Sequence, residues 1–191
     1  MSLFNRAEVI DRNFTQFVKE GNLPPVKISL SLSGTHIRPS ELISLFESQV
    51  LSRHMDLRSR LLKDEGKCFY TIGSAGHEGN AVFGKVFHYT NMAFLHYRSG
   101  AFFLERSRQI PGTTPLYDMA LSFVASSEDP ISGGRHKVIG SKKLNIPPQT
   151  STVSSHIPKA VGAALSIDRA HSLDIYEREL AGDSIVLCSF G

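Results

Sequence analysis

A chain of 191 residues that is 41% apolar and 20% charged holds enough hydrophobic material for one packed domain and too little length for two complete ones, and it fits neither a disordered nor a fibrous class. Its 21 basic and 18 acidic residues leave a formal charge of +3, with no dense Lys/Arg block beyond Lys142 and Lys143, so an electrostatic footprint for nucleic acid is lacking. Cys68 and Cys188 stand alone without metal-ligand spacing, no apolar run approaches the about 20 residues that a membrane span takes, and the N-terminus lacks the apolar stretch of a signal peptide. A cytoplasmic, reducing location without membrane insertion is therefore expected.

Val9, Ile10, Phe14, Phe17 and Val18 recur near helical spacing and predict a short amphipathic helix over residues 7–19, ended by Gly21. Pro24 and Pro25 open an extended stretch to about Pro39, which divides the chain into an N-terminal helix and arm, 1–39, and a main domain, 40–191. Ser40 is placed to cap a long helix whose apolar positions, Leu42, Ile43, Leu45, Phe46, Val50, Leu51, Leu57, Leu61 and Leu62, run to Gly66 and should face a core. A short strand or turn at residues 68–72 leads into Gly73-Ser-Ala-Gly76, and a helix from about His77 should bury Ala81, Val82, Val86 and Phe87.

Residues 92–96 read as a buried strand whose end delivers Tyr97 and Arg98. Pro115, behind Thr114, opens a helix with Leu116, Met119, Ala120 and Phe123 on one face. Residues 129–152 form a long loop rich in Gly, Pro, Ser and Lys, expected to be mobile between residues 129 and 149 when no ligand is bound. Pro158 opens a further helix whose small residues, Ala160, Gly162, Ala163 and Ala164, suggest close approach to a sheet or another helix. A final apolar strand covers 184–190. Helices alternating with short buried strands predict an α/β protein with a mostly parallel sheet, and a last strand with no helix after it implies that the sheet continues in a longer parent.

Four groups of residues carry chemistry. His96-Tyr97-Arg98-Ser99-Gly100, at a strand's carboxyl end, suits a phosphate, although taken alone a structural ion pair is the commoner role for such an Arg. The hydroxyl-rich run from Gln149 to His156 precedes a helix and offers donors to an anion or oxygen-rich ligand, or simple N-capping by Ser154 or Ser155. Gly73 to Gly79, with His77 and Glu78, reads as a ligand-facing helix start or a solvated turn. The run Gly133 to Lys137 reads as a solvent-facing turn or a cationic lid. Neither a Walker nor a Rossmann fingerprint is present, and spacing supports no catalytic triad, so no catalytic residue is assigned.

Taken in order, Phe69-Tyr-Thr-Ile-Gly with Gly76-His-Glu-Gly, then His96-Tyr-Arg98, Gly133-Gly-Arg135, Ile157-Pro-Lys-Ala-Val-Gly-Ala-Ala164 and Ile185-Val-Leu-Cys-Ser-Phe-Gly191 resemble the alpha subunit of branched-chain 2-oxo acid dehydrogenases and related pyruvate dehydrogenases, over about residues 42–191. The resemblance implies a thiamine-diphosphate-binding fold with helices flanking a mostly parallel sheet, here an N-terminal fragment truncated at Gly191. It implies Tyr97 and Arg98 on the cofactor's diphosphate, and Ser151 and Val153 along the cofactor, with Val153 as the apolar wedge behind its bent conformation. It further implies a potassium ion at Thr150, Thr152, Ser155 and His156, where the family has Pro in place of Thr152 and Gln in place of His156. Magnesium would be held by a Gly-Asp-Gly motif of which only Gly191 is present, so its carboxylate and Asn ligands are absent from this chain.

The implied parent enzyme decarboxylates a 2-oxo acid, of the 2-oxoisovalerate type, and passes the acyl group to a lipoyl group on an acyltransferase component. It works as an oligomer with a beta subunit or fused beta half that supplies the aminopyrimidine contacts. The 191-residue chain alone is expected to be inactive. Pyruvate dehydrogenase, acetoin dehydrogenase, transketolase-like chemistry and a non-catalytic assembly domain are the alternatives.

Overall fold

The computed structural model describes residues 6–21, 25, 32–68, 73–135, 138–149, 152–175 and 183–190. The chain divides into two compact units, Met1–Leu42 and Ile43–Gly191. In the first, α1 (Arg6–Glu20) forms where helical periodicity predicts it, and Gly21 ends it with a left-handed φ of 69°. The next helix, α2 (Pro39–Asp64), starts at Pro39, whose fixed φ suits a first turn, and Ser40 lies inside it. The expected Ser40 cap is therefore replaced: the Arg38 backbone N–H donates to Glu41 Oε2 at 3.0 Å, one half of a capping box.

In the second unit, α2 ends in a Schellman motif, with Gly66 at φ 72°, its N–H on Lys63 O at 2.9 Å, and the Lys67 N–H on Leu62 O at 2.7 Å. The face that α2 buries is Ser48, Ser52, Asp56 and Ser59, whereas Ile43, Phe46 and Leu61 of the predicted apolar stripe are exposed. Only part of that stripe, Leu51 and Leu62, packs on the core. The reason is α4 (Gly100–Ser107), a helix that is buried on every side and was not anticipated. A Cβ on Gly100 would lie 2.7 Å from Ser52 Oγ, so the facing position on α2 admits only a small side chain. Buried Glu105 also demands polar partners, which it finds in Ser48 Oγ at 2.6 Å and Arg108 Nε at 3.6 Å.

The helix expected from His77 is a 3-10 turn, Glu78–Asn80, followed by α3 (Ala81–Val86). Of its residues Ala81 and Gly84 are buried, while Val82 and Val86 are exposed, because α3 meets α4 through Gly84: a Cβ there would stand 2.6 Å from Phe102 O. Arg106 of α4 is fully buried. Its Nη2 donates to His88 O and Asn91 O, both at 2.5 Å, its guanidinium stands 5.2 Å from the Phe102 ring centroid, and burial pushes its pKa down to about 10.

The parallel sheet pairs β1 (Met92–Phe94) with β2 (Val186–Cys188), in the register Met92↔Val186, Ala93↔Leu187, Phe94↔Cys188. Both strands are shorter than expected but centred where the sequence put them, and the architecture is α/β. Between them come α5 (Pro115–Phe123), with Pro115 in its first turn and Met119 and Phe123 buried, and α6 (Ile157–Ser172), which packs on both strands. The segment between α5 and α6 is fastened to the sheet. The Ala93 N–H donates to Asn145 O at 3.0 Å, Ser141 and Ile146 form an antiparallel bridge, and Leu144 and Ile146 sit in the core with Leu95, Phe102 and Phe103. Residues 139–149 are thereby built into the core rather than forming the loose, mobile loop that their composition suggested. On α6 Ala160 is buried where the helix packs on the strands, as its small residues suggested, while Val161 and Leu165 are exposed. The expected strand or turn at 69–72 lies outside the described residues. No helix among them is long and apolar enough to cross a membrane.

Candidate functional site

After β1 the chain runs through buried Leu95 and His96 into a turn, with the Ser99 N–H on His96 O at 3.0 Å, and Gly100 then opens α4. This turn presents Tyr97 and Arg98, both half-buried, at the carboxyl end of the strand, which is where open parallel sheets bind ligands. Arg98 Nη1 donates to Gly73 O at 2.6 Å, its guanidinium carbon stands 5.3 Å from the Tyr97 ring centroid, and its backbone N–H reaches His96 Nδ1 at 3.3 Å. One of its five N–H donors is thus spent on positioning the fork, and among the described residues no carboxylate pairs with it.

The Gly73–Gly76 turn is held in place from α2. Ser74 donates to Asp56 Oδ2 from both its backbone N–H, at 2.6 Å, and its hydroxyl, at 2.8 Å, and Ser52 Oγ donates to Ser74 Oγ at 3.0 Å. His77 follows, its N–H on Ser74 O, and its ring stacks on His96 with centroids 5.1 Å apart; the His96 ring in turn lies 3.8 Å from that of Tyr97. Glu78 accepts from the Gly76 N–H at 2.8 Å.

From the other strand, the Ser189 N–H donates to Phe94 O at 2.9 Å, and His156, buried at 4% exposure, sets its Nε2 2.7 Å from Ser189 O. The turn before it carries exposed Val153, and Ser154 at φ 66°. His96 is held below its ordinary pKa by burial first, then by the charges of His77, Arg98 and His156. The 152–156 loop is tied through Ser189 to the end of β1, the strand that leads to the Tyr97–Arg98 turn, where the Arg98 guanidinium is the fixed positive charge an anion would meet.

Of the sequence candidates, Tyr97, Arg98, His77 and His156 gather here, with Thr152, Val153 and Ser155 in the loop that His156 closes. Thr150, Ser151, His136 and Lys137 lie outside the described residues. Gly133–Arg135 forms a separate tight turn, in which Arg135 Nη1 bonds Ser132 O at 3.3 Å and a Cβ on Gly134 would meet Ala125 O. A cavity of about 350 Å³ between α4, α5 and residues 130–144 is lined by none of the candidates. Sequence reasoning missed the Asp56 anchor, though Ser48, Ser52 and Asp56 recur at four-residue spacing on one face of the helix, which was a signal for it. Among the described residues no group of three or more His, Cys, Asp or Glu could hold a metal ion.

No protein-family model matches the chain. It is similar to the 2-oxoisovalerate dehydrogenase subunit alpha of Bacillus subtilis (strain 168), 31% identical over 133 residues. The match covers 66% of this chain and 38% of that protein, so the chain spans less than half the length of the curated relative it matches.

Proposed function

We propose that this chain forms the diphosphate-facing front of the alpha subunit, or alpha half, of a thiamine-diphosphate-dependent 2-oxo acid dehydrogenase of the 2-oxoisovalerate type. The likeness to the Bacillus subtilis subunit supports this reading, and the observation that carries it is an Arg98 fork at a parallel strand's carboxyl end with no carboxylate partner among the described residues.

Bound there, thiamine diphosphate would supply the electron sink for loss of carbon dioxide from the oxo acid. Arg98, aimed by Gly73 O and the Tyr97 ring, would hold a diphosphate oxygen through its remaining donors, with the Tyr97 phenol beside it. Ser151 and Val153 would line the cofactor, the exposed Val153 side chain giving an apolar contact that excludes water. Magnesium would need carboxylate and amide oxygens that these residues do not provide. The parent would pair with a beta subunit or fused beta half, assemble as a cytoplasmic oligomer, and hand its acyl group to a lipoyl acyltransferase.

Two measurements test the proposal. The parent assembled with its beta partner should decarboxylate branched-chain 2-oxo acids, with reduction of an artificial electron acceptor, more efficiently than pyruvate; turnover of neither would contradict the reading. The 191-residue chain titrated calorimetrically with magnesium and thiamine diphosphate should show no binding at micromolar concentration, because a micromolar ligand has only about 8 kcal/mol in total and the chain lacks both the metal's ligands and the partner's contacts. A micromolar dissociation constant would mean that the metal ligands are misassigned.

A further inference from the structure

The resembling family implies a potassium ion in the loop before α6, and the side chain at position 156 does not fit one. Hard monovalent and divalent cations take oxygen ligands, whereas imidazole nitrogen suits softer metals. The His156 side chain offers nitrogen in place of an oxygen, and one of its two ring nitrogens is already engaged. Its backbone oxygen accepts from the Ala160 N–H at 2.9 Å, and its Nε2 lies 2.7 Å from Ser189 O. A carbonyl only accepts, so Nε2 carries the hydrogen and Nδ1 keeps a lone pair, which is buried and has no partner among the described residues.

The His156 bond continues into the sheet. Ser189 takes the imidazole's hydrogen on its oxygen and gives its own N–H to Phe94 O at 2.9 Å, two residues before His96. A single chain of hydrogen bonds thus runs from the loop through the end of β2 to the end of β1. We infer that the His156 imidazole, as an N–H donor to Ser189, does in this protein what a loop-bound monovalent cation would do: it holds residues 152–156 against the strand ends and fixes their distance from Tyr97 and Arg98. His156 is a positioning residue. The inference stands whether or not the site takes thiamine diphosphate, and its test uses no cofactor.

The purified chain, stripped of potassium, should melt at the same temperature in potassium chloride and in choline chloride of equal ionic strength. A long-range proton–nitrogen spectrum of the histidine rings should show His156 protonated at Nε2 and bare at Nδ1. His156→Ala should lower the melting midpoint by about 2–4 °C, as expected for a single net hydrogen bond in a domain of this size, and should speed amide exchange at Ser155 and Ile157. His156→Gln, whose side-chain amide puts a donor near the place of Nε2, should recover most of both losses. A saturable rise in midpoint with potassium but not choline would overturn the inference, as would the opposite ring tautomer or a His156→Ala chain as stable as the original. Should the Ala variant fail to fold, the ring spectrum and the Gln variant still decide.

Discussion

At the end of β1, His96 is buried at 3% exposure beside His77, Arg98 and His156, and its imidazole titrates below the usual histidine range. The folded state therefore resists a proton that the unfolded chain accepts near pH 6.5. His96 contributes stability that is complete above that pH and lost as pH falls from 6.5 toward the lowered folded value. Protonation would also remove the Nδ1 lone pair that accepts the Arg98 N–H. The urea midpoint should fall between pH 7 and pH 5.5, and His96→Asn, which keeps an acceptor near Nδ1 and cannot titrate, should reduce that fall; equal pH dependence in both proteins would contradict the account. At this scale the placement of Tyr97 and Arg98 in a turn just after a buried strand was legible, because the apolar run and the Gly that follows are local signals. The His77–His96 stack and the Asp56–Ser74 anchor were not, since each joins residues 18 or more apart that only the packed fold brings together.

The long helix α2 shows why an element can be read correctly and its orientation wrongly. Its periodicity and its Gly66 stop are written in the sequence, but the assumption that its apolar stripe meets the core fails because α4 comes too close: at Gly100 even a methyl group would collide with Ser52. The contact is made by serines and Asp56, which satisfy Glu105 and the Ser74 turn. Ser52→Leu should therefore destabilise the chain by about 2 kcal/mol through overpacking, whereas Phe46→Ser, at a position 55% exposed, should change stability by no more than about 0.5 kcal/mol. Chemical denaturation of the two variants checks this, and a larger loss from Phe46→Ser would restore the apolar stripe as the core face. The same crowding explains why α4 escaped notice: it is only eight residues long, and its polar residues, Glu105, Arg106 and Ser107, are buried rather than marking a solvent face.

Across the whole molecule, the parallel pairing of Met92 with Val186 joins strands 94 residues apart, and the alternation of helices and short apolar runs was enough to anticipate an α/β sheet. The role of residues 139–149 was hidden, because a Gly/Pro/Lys-rich composition reads as a loose loop, whereas Leu144 and Ile146 pin it to the core and Asn145 pairs with the edge of β1. The account's central claim is that the sheet's carboxyl end, with Arg98 at its centre, receives the diphosphate of the cofactor. Calorimetric titration of magnesium–thiamine diphosphate into the parent enzyme, assembled with its beta partner, tests it most directly. Arg98→Ala should raise the dissociation constant at least tenfold, as expected for the loss of a charge-assisted phosphate contact of about 1.5–3 kcal/mol, while Arg108→Ala, outside the site, should leave it unchanged. An Arg98→Ala enzyme that binds the cofactor as tightly as the original would contradict the assignment.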